Sequence, residues 1–221
     1  MVRGNPRREK PKKRLNPERL TWEKRLENRN PCRESLFTMK AFLPIMFFTV
    51  LLAECGSSQS KTFVQSAEAG NIEAVKQHLA GGADVNATNI VGETALHKSS
   101  AKGHREVVEL LIASGAEVNV QNRNGWTPLH HVTWRGYGDM AKLFVAKGAD
   151  VNVKTKYGGT PLLNAALKGY REIAELLIAN GADVNVIVNG VTPLDLATQN
   201  GHVEIADLLG KHGGKSAGEL E

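Results

Sequence analysis

Seven histidines, two cysteines and several paired carboxylates are the residues of this 221-residue chain that could do chemistry. Histidine ligates metals and moves protons near neutral pH, so the adjacent His130 and His131 invite a metal-site reading. On a helix, however, consecutive side chains project about 100° apart, and those that face one another are three or four residues apart. A shared ion between these two is therefore disfavoured. Glu106 and Glu109, and again Glu172 and Glu175, resemble acid–base pairs. They recur at equivalent places on the polar side of two amphipathic stretches, which reads as a charged, solvated face. The chain contains no phosphate-binding GxxxxGK[ST] loop, GxSxG elbow, HExxH pair or paired zinc cysteines. It is read as non-catalytic, with no cofactor and no metal.

The elements that carry these residues are repeated at a fixed distance, a pattern sought before any other. Thr94, Thr127, Thr160 and Thr192 step by 33, 33 and 32 residues, while Asn86, Asn119, Asn152 and Asn185 step by 33 throughout. Gly70, Gly103, Gly136, Gly169 and Gly201 keep the same register. Within Gly158 to Asn185 the local signals read as helix, turn, helix, hairpin. Thr160 caps a first helix with Pro161 at its first position, and Gly169 ends it. A second helix from Arg171 carries Ile173, Leu176 and Leu177 on one stripe, and Gly181 stops it.

These residues resemble ankyrin repeats. The matching motifs are ThrProLeuHis at Thr127 to His130, GlyHis at Gly103 and His104, the LeuLeu pairs, and GlyAlaAspValAsn at Gly148 and Gly181. The resemblance implies an all-α solenoid of five helix-turn-helix units joined by hairpin loops, at about 61–89, 90–122, 123–155, 156–187 and 188–215, with a tail at 216–221. The first and last units depart from the pattern and read as caps, since terminal repeats turn one face to water. The resemblance also makes His97 and His130 structural, each ring bonding the neighbouring loop together with its threonine. It implies protein recognition through a concave groove, at loop tips and the exposed face of the first helices. At those variable positions stand Ile90, Val91, Glu93 and Lys102, then Arg123, Asn124, Trp126, His131, Trp134 and Arg135, then Lys154, Lys156, Tyr157 and Lys168. Trp, Tyr and Arg most often dominate binding energy. Arg123, Trp126, Trp134, Arg135 and Tyr157 are accordingly the expected partner site, the four from Trp126 to Tyr157 lining one surface about two repeats wide. The partner is an unidentified protein, and the chain is expected to be a monomer.

The formal charge of +5 is unevenly placed. Residues 1–38 hold 12 Lys+Arg against 5 Asp+Glu, whereas residues 39–221 hold 16 against 18. A nucleic-acid reading would rest on the leader alone, and none is made. Residues 1–38 have too few apolar residues to fold alone and are expected to be disordered, or to be an extension ahead of the true start. The run Lys10 to Arg14 resembles a nuclear localisation signal, a pattern common in solvated basic segments.

Met39 and Lys40 precede an apolar run from Ala41 to Ala53. As a helix, 13 residues reach about 20 Å, short of the roughly 30 Å hydrocarbon core. The segment 39–55 matches a secretory signal peptide, with Met39 as the start. Leu52, Ala53 and Cys55 also resemble a bacterial lipoprotein processing site, where Cys55 would be lipidated, although Glu54 stands where that family places a small residue. Cleavage after Ala53 and a buried apolar element are the alternatives. Residues 56–60 read as a short linker. Cys32 and Cys55 both lie outside the repeats, so no disulfide framework is available there. The chain is read as an exported, periplasmic or membrane-anchored binding module. A cytosolic or nuclear adaptor with a genuine basic region, or a periplasmic accessory factor for an enzyme, are the other two readings.

Overall fold

The structure is a computed structural model that describes residues 61–220. Residues 1–60, and with them the segment 39–55 and Cys55, lie outside the described residues. Among the described residues there are eleven helices, ten of them in five successive pairs and the last by itself. They are α1 (61–68), α2 (Ile72–Ala80), α3 (Ala95–Lys102), α4 (Arg105–Ala113), α5 (Pro128–Arg135), α6 (Gly138–Ala146), α7 (Pro161–Lys168), α8 (Arg171–Ala179), α9 (Pro193–Gln199), α10 (Val203–Lys211) and α11 (Ala217–Leu220). This is the all-α solenoid that the sequence implies. The expected hairpins are tight turns, marked among the described residues only by isolated bridges at Thr88–Thr94 and Val188–Val191.

The first helix of each full unit begins for the reason its sequence gives. Thr94, Thr127, Thr160 and Thr192 sit in extended backbone, and each hydroxyl accepts the N–H three residues on, satisfying a donor that has no partner inside the helix. Second helices α4, α6, α8 and α10 have no such cap. They carry Glu106, Asp139, Glu172 and Glu204 in their first turns instead, where a negative charge suits the helix dipole.

Packing follows from side-chain size. Ala165 and Ala166 on α7 are wholly buried, which lets α5, α7 and α9 lie side by side. On α8 the buried residues are Ile173, Ala174 and Leu177, with Leu176 only half-buried, so the stripe is centred between Ile173 and Ala174. One continuous apolar core runs from Phe63 to Leu209.

Polar links tie each unit to the next. Asn119 accepts the Asp150 N–H at 2.9 Å and donates to the Gly148 carbonyl at 3.0 Å. Asn152 does the same to Asp183 and Gly181, both at 2.8 Å, and Asn185 repeats it to Lys215 and Gly213 at 2.9 and 3.1 Å. A second column consists of rings: Tyr137, Tyr170 and His202, at the starts of second helices, each lie against the glycine that ends the first helix one unit earlier. A third column is incomplete. His97 reaches the Trp126 carbonyl at 2.9 Å and His130 the Gly159 carbonyl at 3.2 Å, but Leu163 occupies that place in the fourth unit. Among the described residues the loop tips are also joined from the second unit to the third and from the third to the fourth, with no backbone bond from the fourth to the fifth.

The last unit closes differently. Asp195, in the position of His97 and His130, accepts the Ala217 N–H at 2.9 Å, while the Thr192 hydroxyl donates to the Lys215 carbonyl at 2.8 Å. Residues 217–220 thereby form a short helix seated on α9 by hydrogen bonds.

Candidate partner-binding site

The loop before α5 is built around Asn122. Its side-chain oxygen accepts the N–H groups of Asn124 and Trp126 at 2.9 and 3.0 Å, and its own N–H donates to the Trp126 carbonyl at 2.9 Å. That closed turn fixes the indole of Trp126 over the start of the helix. The neighbouring tips are tied to it, since the Arg123 N–H donates to Val91 at 3.2 Å and the Lys156 N–H to Asn124 at 2.9 Å.

Trp126 meets Trp134 edge to face with 6.0 Å between ring centroids, and its ring lies 5.0 Å from that of His131. Edge-to-face contact places the positive rim of one ring on the negative face of the other. The Lys168 ammonium stands 4.1 Å above the Trp134 ring, a cation–π contact across two units. Trp134 keeps 37% of its surface exposed and Tyr157 keeps 77%. Trp134 therefore both packs against its neighbour unit and faces solvent. Of the five expected residues, the structure brings Trp126 and Trp134 into contact. The Arg123 backbone is tied to Val91 in the preceding tip, while Arg135 and Tyr157 are exposed and, among the described residues, join no ring or ion pair. His131 and Lys168 complete the cluster. The period puts Lys168 one repeat on from Arg135, though not over the Trp134 ring.

Beneath the tips His97 and His130 are wholly buried and His131 is partly so. The Thr94 N–H points at His97 Nδ1 (3.2 Å), and the hydroxyl lies 3.0 Å from the same atom. Nδ1 therefore accepts and Nε2 carries the proton given to Trp126. His130 makes the same set with Thr127. Burial lowers the His97 pKa, and it brings His130 and His131 down to about 4, because a charged ring loses its hydration there. His131 Nε2 is buried without a hydrogen-bond partner, 3.9 Å from a Glu93 carboxylate oxygen. Burial raises Glu93, but the bonds from Lys98 and Asn89 outweigh it and hold the carboxyl below its ordinary value. The Lys98–Glu93 contact is 2.8 Å, and Lys98 and Lys102 also face Glu68 at 3.9 and 3.7 Å. This partly buried ion pair left no sequence signature of its own.

Among the described residues no group of three His, Cys, Asp or Glu side chains could hold a metal ion, and no helix is long and apolar enough to cross a membrane. The arrangement offers an aromatic, basic surface on a rigid frame.

A search of curated proteins found no match. A family model described as ankyrin repeats, three copies, matches residues 63–155 and again 135–217, which together take in every full unit. With the period, the threonine caps and the imidazole links on the page, the chain belongs to the ankyrin-repeat family, a generally non-catalytic scaffold of protein–protein interaction.

Proposed function

We propose that the chain is an exported, non-catalytic, monomeric binding module whose partner protein seats on Trp126 and Trp134, with Arg123, Arg135 and Tyr157 around them. The observation that carries this is the Trp126–Trp134 pair at 6.0 Å, held on a hydrogen-bonded tip yet partly open to solvent. Large aromatics in that setting are the usual anchors of interfaces. A repeat scaffold by itself does not name a partner. Trp134→Ala should weaken capture of the native partner by more than about 1 kcal/mol and leave the melting temperature nearly unchanged. Loss of folding with no specific binding defect would reject the site.

Export rests on the sequence of 39–55, with its basic residue, short apolar run and Ala53 two residues before Cys55. The mature protein then lacks residues 1–53, which N-terminal sequencing would read directly; intact Met1 on the native product would refute it. Lipidation makes Cys55→Ser release the protein from membranes, and an unchanged membrane fraction would count against it.

A further inference from the structure

We infer that the partner of this surface is an acidic protein segment, in which Asp or Glu residues flank an apolar or aromatic anchor. The inference rests on the groove reading above and adds the chemistry of the occupant. Between Glu117 and Asp139, and again between Asp150 and Glu172, the chain has no acidic residue. Those two stretches hold the loop tips and first helices of the third and fourth units. They contribute Arg123, Arg135, Lys154, Lys156 and Lys168, all exposed.

Several cations elsewhere in the solenoid are neutralised, although among the described residues Lys147, Lys211 and Lys215 are not. On the second helices Arg105 pairs with Glu109 at 2.8 Å, Arg171 with Glu175 at 2.9 Å and Glu204 at 3.4 Å, and Lys142 with Asp139 at 3.5 Å. In the second unit Lys98 and Lys102 face Glu93 and Glu68. Arg123, Arg135, Lys154, Lys156 and Lys168 make no ion pair among the described residues, and Lys168 has only the Trp134 ring. The patch also has edges. From Glu172 to Gly210 there is no lysine or arginine at all.

Unpaired like charges repel one another, and a surface that collects them around a hydrophobic anchor is complementary to the opposite sign. Nucleic acid is less suited than protein, because residues 39–221 as a whole are slightly acidic and phosphate binding rewards a long basic track. An acidic segment instead gains two things together. Its carboxylates meet the cations, and its anchor enters beside Trp126 and Trp134.

The test uses the full-length chain and a random peptide library displayed on phage, with a single-stranded oligonucleotide as a second probe. Recovered peptides should be rich in Asp and Glu around an aromatic or aliphatic residue. The variant Arg123→Glu, Lys154→Glu, Lys156→Glu should bind them about tenfold more weakly or worse, with an unchanged melting temperature. If the triple variant fails to fold, Lys154→Glu with Lys156→Glu supplies the same reading at two exposed positions. Peptides without acidic enrichment, lost with Trp134→Ala but bound equally by the charge variant, would overturn the acidic assignment and keep the groove. No recovered peptide, or recovery indifferent to Trp126→Ala and Trp134→Ala, would overturn both. Oligonucleotide binding that the charge variant abolishes, with no acidic peptides recovered, would assign the patch to nucleic acid. A dimer of the wild-type chain that the charge variant dissolves would assign it to a second copy.

Discussion

The phenol ring of Tyr170 stands in the space into which a side chain on Gly136 would have to grow. A Cβ on Gly136 would lie 2.6 Å from the ring carbon Cζ, and the backbone there has φ of +79°. Two constraints coincide at one residue, one local and one reaching across the unit boundary. Gly136→Ala should therefore cost the roughly 1–2 kcal/mol of a left-handed non-glycine residue plus the displacement of the ring. Gly181→Ala is the control, since Gly181 has φ of +84° but nothing within 4 Å of its Cβ position. Urea unfolding should rank Gly136→Ala as the more damaging; equal losses would show that the ring contact contributes nothing.

Leu177 is wholly buried in the core stripe of α8. Leu177→Ala removes its methyl groups and leaves a cavity, for about 2–5 kcal/mol. Because neighbouring units stabilise one another, the loss should appear as one cooperative shift of the whole transition. A change under about 0.5 kcal/mol, the range of surface sites, would contradict the packing.

Acid should loosen the solenoid through its buried imidazoles. Burial holds His130 near 4 in the folded state against an ordinary 6.5, so between those values the unfolded chain binds more protons. Stability from the neutral ring is complete above about pH 6.5 and is lost as pH falls towards 4, by on the order of 3 kcal/mol at most. His130→Leu, which copies the residue at Leu163, should flatten that acid limb while lowering stability at neutral pH through the unpaired Gly159 carbonyl. An acid limb of unchanged slope would remove His130 from the account.

Asn152 bridges two units by accepting from Asp183 and donating to Gly181. In Asn152→Asp the acceptor survives but the donor becomes a second acceptor facing a carbonyl. The change should cost about 1–3 kcal/mol, the range for an unmet polar group, discounted by its exposure. Asn152→Ala is the comparison, and an aspartate variant as stable as wild type would show that solvent replaces the lost bond.

The fold was legible because its signals are local and repeated. A threonine, a proline and a glycine at fixed offsets specify a short helix with both ends defined, and three copies of that pattern, with a fourth in which Ala95 replaces the proline, fix the period. The imidazole links came with the family resemblance, and their geometry agrees with it. The ring column was not legible, since Gly136 and Tyr170 are 34 residues apart and their fit depends on how closely units stack. The same holds for Lys168 over Trp134. The period places the two on adjoining helices, but only the packed structure brings the ammonium above the ring. Glu93 reads as one of the variable positions, and its pairing with Lys98 emerges only from the packed structure. Asp195 reads as a departure from ThrProLeuHis, and its partner at Ala217 lies beyond the last recognisable unit.

Leu163 has a consequence for the order in which the molecule comes apart. At the junction of the fourth and fifth units Leu163 replaces the imidazole of His97 and His130, and among the described residues the loop tips share no backbone bond, so that seam is held by the core, the His202 ring with its bond to the Leu167 carbonyl, the Arg171–Glu204 pair and the bonds of Asn185. The last unit is thus the loose page of the book. Under heat or pulling force it should peel away before the block carrying Trp126 and Trp134 yields, and the binding surface would outlast the loss of its own end cap.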